Sequence, residues 1–114
     1  MKRETTLKEN YEFRRVYNKG KSGVSPFLVV YARQNHSGRN RLGVTVSTKL
    51  GKAVVRNRAR RRLRELFRLS QGQMKQGYDV VLVARSRAVT ASHHELSRAY
   101  RKLCEKLELM EKQA

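Results

Sequence analysis

Residues 56–68, RNRARRRLRELFR, place an apolar stripe and an arginine face on a single helix. At 100° per residue, Val55, Ala59, Leu63, Leu66 and Phe67 fall on one arc, the pattern of a helix that lays one side on a core. On the other side, Asn57, Arg61, Arg64 and Arg68 occupy the centre, Arg58 and Arg60 the margins, and Glu65 is the one acid. Like charges at i,i+4 repel by a few tenths of a kcal/mol per pair, so solvated helices usually mix signs. A face this one-sided points to an external polyanion. The alternative is a basic surface helix with no partner. Arginine prevails over lysine here, and its planar fork suits bidentate contact with phosphate and stacking on bases.

Upstream of this helix, Leu42-Gly43-Val44-Thr45-Val46-Ser47 alternates as a strand with Leu42, Val44 and Val46 towards the core. Thr48–Gly51 turns into the helix, which is expected to start near Lys52. The run Phe27–Arg33 is β-branched and aromatic, the composition of a strand. Alternation assigns Phe27, Val29 and Tyr31 to one face and Leu28, Val30 and Ala32 to the other. The loop 34–40 predicts that these two strands run antiparallel, as a hairpin. Before them, Phe13, Val16 and Tyr17 at i, i+3, i+4 predict a helix over Lys8–Lys19, stopped by Gly20 in a left-handed conformation. A short extra strand is expected near Lys21–Val24, and residues 1–6 read as loose.

Downstream, Asp79–Ala84 (DVVLVA) is continuously apolar, as in a strand buried on both faces, and the strand–helix–strand order predicts a crossover between parallel neighbours. Ser92-His93-His94-Glu95 is a capping box. It opens a last helix whose apolar spacing runs through Leu96, Ala99, Tyr100, Leu103 and Leu107 to Met110. These elements make one domain, 1–114 with an ordered core over about 7–110, built as a small sandwich of helices against a sheet.

Lys and Arg number 27 against 9 acids, a net charge of +18 in 114 residues. Such a balance attracts nucleic acid or anionic membrane. No apolar run approaches the ~20 residues needed to span a bilayer, and Met1-Lys2-Arg3 is not followed by a signal-like apolar region. Membrane is the weaker reading, and the expectation is an intracellular, cytoplasmic chain that binds nucleic acid. Cys104, the single cysteine, sits between leucines and reads as a buried apolar side chain.

Groups for autonomous catalysis are sparse. A metal-dependent nuclease needs converging carboxylates, yet Asp79 is the only aspartate, and the glutamates are scattered along basic helices. His36, His93 and His94 read as loop and cap residues. For any RNA chemistry, a partner is therefore expected to supply the reactive groups. A second surface carries more information. Phe13 and Tyr17 on the first helix, with Phe27 and Tyr31 on one strand face, form a candidate groove bordered by Arg14, Arg15, Lys19 and Arg33. Rings among cations make a stacking platform for single-stranded nucleic acid; plain core packing is the competing account of all four rings.

Residues 46–65, VSTKLGKAVVRNRARRRLRE, resemble the signature of the protein-subunit family of bacterial ribonuclease P: an Arg-Asn-Arg helix after a Lys-x-Gly-x-Ala-Val turn. The resemblance extends from about Leu7 to the last helix and includes the Asn-x-x-Phe-x-x-Val-aromatic pattern at Asn10, Phe13, Val16 and Tyr17. Arg60 stands where the family often has lysine, and Tyr17 where many relatives have phenylalanine. The resemblance implies an α+β two-layer sandwich, ribosomal protein S5 domain 2-like, in the order α-β-β-β-α-β-α. It also implies a left-handed β-α-β crossover, against the ~98% right-handed rule that sequence alone would follow.

As to function, it implies an endoribonuclease that removes the 5′ leader of precursor tRNA, with a catalytic RNA that binds one protein chain and holds most of the Mg²⁺, none being held by the protein alone. By resemblance, Arg56, Asn57, Arg58, Arg60, Arg61 and Arg64 contact that RNA, with Lys49 and Lys52 assisting, and Arg68 joins them from its place on the arginine face. Phe13, Tyr17 and Tyr31 match the family's groove for the leader, to which strand alternation adds Phe27, and Arg14 or Arg15 meets its phosphates. Other small structured RNAs are further possible substrates, and no protein partner is implied. Three other classes compete: a structural ribosomal-RNA binder, a helix-turn-helix DNA binder and a stand-alone nuclease. The strands and the lack of a second helix just before the arginine helix count against the DNA binder.

Overall fold

A computed structural model of the chain describes residues 6–111. Along the chain come α1 (Asn10–Lys19), β1 (Lys21–Val24), β2 (Leu28–Gln34), β3 (Arg41–Thr45), α2 (Ala53–Ser70), β4 (Tyr78–Ala84) and α3 (His93–Lys106). That is the α-β-β-β-α-β-α order. The expectation of a loose segment over residues 1–6 falls mostly outside the described residues, but Thr6 pairs with Leu42 and Leu7 N–H donates to Leu42 O at 2.9 Å.

The four strands lie in the order β1-β2-β4-β3. β4 pairs antiparallel with β2, from Leu28↔Ala84 to Gln34↔Tyr78, and parallel with β3, from Arg41↔Asp79 to Thr45↔Val83. The predicted parallel crossover through α2 is present. The predicted hairpin of β2 and β3 is not: the two run in opposite directions, but β4 lies between them. A continuously apolar strand has two faces to bury, and the centre of the sheet is where both are covered; Val80, Val81 and Leu82 are fully buried.

One face of the sheet carries the main core. Leu28, Val30, Ala32, Leu42, Val80 and Leu82 meet Ala59, Leu63, Leu66 and Phe67 of α2 and Leu96, Tyr100, Leu103 and Cys104 of α3. Each large apolar side chain buried there contributes about 1.5–3 kcal/mol. Three of them on α2 outweigh the like-charge repulsion along its outer face. The opposite face is covered only in part, by α1: Leu7, Val16 and Val81 form a small cluster flanked by Phe13, Tyr17, Tyr31 and Val83. Those four flanking side chains therefore stay only partly buried.

Two boundary expectations need correction. Gly20 ends α1 with φ −92°, not left-handed; it is glycine because a Cβ there would stand 2.6 Å from the carbonyl oxygens of Ala32 and Val16. α3 is capped as predicted, with Ser92 Oγ accepting from Glu95 N–H at 3.1 Å and Ser92 N–H donating to Glu95 Oε1 at 2.9 Å. It ends at Lys106, however, and Met110 lies beyond it, paired with Met74 in an isolated bridge. Glu108, at φ 59°, turns the chain between them.

Candidate nucleic-acid interface

Helix α2 starts where expected, with Lys52 at its N-cap. Its rotation about its own axis is fixed from the buried side, and Arg62 adds a polar anchor that sequence reading missed. Arg62 donates to Ala88 O at 3.0 Å and to Ala91 O, the carbonyls that lead into α3. Partial burial, and then the nearby Arg58 charge, lower the pKa of this guanidinium. A run of three arginines gives no hint of which one turns inward; only the helical phase beside Leu63 separates Arg62 from its neighbours.

The outer side of α2 is cationic as predicted. Asn57, Arg58, Arg61, Arg64 and Arg68 are exposed, with Lys49 and Lys52 at the entry turn. Arg60 donates to Asn57 Oδ1 at 2.8 Å, Arg56 Nε to Gly51 O at 3.2 Å, and Arg68 pairs with Glu65. Arg61 and Arg64 have no hydrogen-bond or ion-pair partner among the described residues. A shallow cleft of about 480 Å³ runs along this face between Asn57, Arg60, Arg61, Arg64 and Arg68. Guanidiniums left free along a cleft are available to phosphates.

The aromatic group forms on the half-covered sheet face. The Tyr17 and Tyr31 rings meet edge to face, 4.8 Å between centroids at 75°. The Tyr17 hydroxyl lies 3.1 Å from Thr45 Oγ1, which ties α1 to β3, and Phe13 packs over Gly43. Phe13, Tyr17 and Tyr31 are all half-buried, so they pack and remain open at once, and the two readings of these rings are not exclusive. Gly43, Thr45 and Val83 share this floor and were missed; Thr45 and Gly43 lie in the phase of β3 that points away from the main core.

Phe27 does not join them. It precedes β2 and packs against the core on the α2/α3 side. Ser25 Oγ accepts from the N–H groups of Phe27 and Leu28, at 3.2 and 3.0 Å, in a tight turn around Pro26. Alternation does not apply to a residue outside the ladder, so the assignment of Phe27 to the groove is withdrawn. Of the flanking cations, Arg14 is exposed, and Arg15 lies over the exposed Tyr11 ring at 5.5 Å. Lys19 and Arg33 line a separate depression with His36 and Tyr78.

One end of the groove is locked by a charge network absent from the sequence reading. Arg41 donates to both oxygens of Asp79, each at 2.9 Å, and to Glu12 Oε2 at 2.7 Å. Asn35 adds a bond to Asp79 Oδ1 at 2.9 Å, and Glu12 Oε1 accepts the N–H groups of Lys8 and Glu9, at 3.0 and 2.9 Å. Burial alone would raise both carboxyl pKa values. The Arg41 and Asn35 bonds reverse this for Asp79, and the two backbone bonds followed by the Arg41 charge reverse it for Glu12, leaving both lowered. Asp79 and Glu12, the nearest approach to a carboxylate pair at this end, are thus committed to one guanidinium.

The chain matches the sequence profile of the family described as Ribonuclease P over residues 1–108. It belongs to the ribonuclease P protein family. Among relatives, the ribonuclease P protein component of Thermoanaerobacter sp. (strain X514) is 48% identical over 103 residues, covering 90% of this chain and 89% of that protein. That of Natranaerobius thermophilus is 41% identical over 112 residues, covering 98% and 97%. The solved RNase P protein of Staphylococcus aureus, 30% identical, superposes with a TM-score of 0.85 over 94% of this chain and 98% of that one. The Thermotoga maritima protein, 28% identical, gives 0.78 over 88% and 96%. The family fold, a four-stranded sheet with three helices, is the fold described above.

Proposed function

We propose that the chain is the protein subunit of a ribonuclease P ribonucleoprotein, an endoribonuclease that matures the 5′ end of tRNA. The observation that carries this is one rigid scaffold with two separate nucleic-acid surfaces: free guanidiniums along α2, and half-open rings between α1 and the sheet. In this assignment Arg56, Asn57, Arg58, Arg60, Arg61, Arg64 and Arg68, with Lys49 and Lys52, bind one catalytic RNA. Phe13, Tyr17 and Tyr31 stack bases of the single-stranded leader, each worth about 1–3 kcal/mol, and Arg14 or Arg15 meets leader phosphates.

The reaction belongs to the RNA and its Mg²⁺. The protein's part is to hold the leader and to screen repulsion between two RNAs, which lowers the Mg²⁺ the reaction needs. Leader contacts are independent of the tRNA body, so other small structured RNAs with an unpaired 5′ segment fit the same groove. The assembly acts in the cytoplasm, away from membrane; among the described residues no helix is long and apolar enough to cross one.

The test is cleavage of a precursor tRNA at low millimolar Mg²⁺ by the protein alone, a bacterial ribonuclease P RNA alone, and the mixture. Efficient cleavage at the mature 5′ end by the mixture only is the expected result. Cleavage by the protein alone, or no gain on mixing, rejects the assignment.

A further inference from the structure

On the sheet face opposite the leader groove, a cleft of about 380 Å³ opens between the start of β2 and α3. Its floor is Val24, Pro26, Phe27 and Leu103, and its rim is Arg98 and Lys102, one turn apart on α3. Arg98 and Lys102 are exposed and have no hydrogen-bond or ion-pair partner among the described residues. The one acid at the cleft, Glu95, is held by the Ser92 backbone and hydroxyl in the α3 cap, and those bonds, the backbone one first, lower its pKa. Val24 is 59% exposed on the edge strand. An apolar floor with a phenyl ring and two uncommitted cations calls for a ligand with a flat apolar body and a negative charge.

We infer that this cleft seats an unpaired nucleotide of the catalytic RNA, its base against Phe27 and Pro26 and its phosphates on Arg98 and Lys102. Base–aromatic stacking beside a cationic rim is the usual chemistry of single-strand recognition. The RNA subunit is favoured over the leader because the cleft belongs to the α2/α3 layer. α2, with its arginine face, and α3 cover the same face of the sheet, whereas the leader groove is on the far side. A second copy of this chain is disfavoured by its +18 charge. This inference rests on the function proposed above.

The test uses full-length protein and ribonuclease P RNA transcribed with 4-thiouridine. Irradiation of the complex is expected to crosslink within residues 24–27, as mapped by mass spectrometry. The exposed double variant Arg98→Gln/Lys102→Gln should bind the RNA about tenfold more weakly, with a log–log salt slope lower by about 1.4 for two single-strand phosphates. Its preference for precursor over mature tRNA should not change. Phe27→Leu, which keeps the apolar volume, should lower the crosslink yield without changing the salt slope. Weaker binding with no crosslink at 24–27 would mean general electrostatics and overturns the inference. Unchanged affinity in the double variant also overturns it, and would leave the cleft to an acidic, apolar peptide. Failure of the wild-type protein to bind the RNA at all would instead reject the underlying function.

Discussion

Gly43 of β3 lies so close to the Phe13 ring that a Cβ built on it would stand 2.5 Å from Phe13 Cε1. Gly43→Ala is therefore an overpacking substitution, and the ring has to move. We expect a loss of about 1–3 kcal/mol in denaturant unfolding and a reduced preference for precursor tRNA, since Phe13 walls the groove. An unchanged unfolding midpoint would show that the ring has room to give.

The Asp79–Arg41–Glu12 network predicts an acid limit to stability. Asp79 has a pKa held below its ordinary 3.8 in the folded state, so it binds fewer protons folded than unfolded near that pH. Its contribution is complete above the ordinary value and disappears as pH falls through the folded one. Asp79→Ala leaves Arg41 without its main partner. Asp79 is 3% exposed and Arg41 29%, so the cost should fall somewhat below the ~3–5 kcal/mol of a fully buried pair, about 2–3 kcal/mol. Unfolding followed downward from pH 7 should show the stability gap between wild type and variant holding until pH drops below the ordinary 3.8 and shrinking as it falls further.

The two proposed RNA surfaces should separate genetically. Arg58→Ala should weaken binding to the catalytic RNA and lower its log–log salt slope by about 0.7–0.9, one phosphate's worth. Tyr31→Ala should lower affinity for precursor tRNA by about 1–3 kcal/mol and leave mature tRNA binding as it was. Filter binding over a salt series reads both; equal losses for precursor and mature tRNA in the Tyr31 variant would count against the groove.

Ser92→Ala removes the hydroxyl that accepts from Glu95 N–H at the start of α3. The expected cost is about 1 kcal/mol, with a range of 0.5–2. Thermal unfolding with an intact final helix, judged by far-ultraviolet circular dichroism, would show the loss to be local to the cap.

Elements whose signal is local were legible in the sequence. The apolar arc of α2, the Ser92 cap, the β2 alternation and the buried run of β4 each depend on residues a few positions apart. The strand order was not legible, because which strand lies beside β3 is decided by contacts between residues some 40 positions apart, and a loop with Gly38 and two asparagines looks the same in either arrangement. Phe27 was misplaced for a local reason: the Ser25 turn puts it outside the ladder. At the groove, Tyr17 and Tyr31 came from aromatic spacing, while Arg41 and Asp79 carried no signal, since a lone aspartate at a strand start looks like any other. Arg62 was hidden by its resemblance to the arginines beside it.

The place of β4 sets an order of events during synthesis. Leu28 pairs with Ala84, and Thr45 with Val83, so neither β2 nor β3 has its central neighbour until the chain past residue 84 is made. The arginine helix leaves the ribosome before the strand that anchors its underside. For that interval a strongly basic amphipathic segment is displayed without its core, beside ribosomal RNA. Contacts so distant in sequence also slow the closing of the sheet. Capture of α2 by an RNA partner at that stage would shorten the exposure and couple assembly to folding.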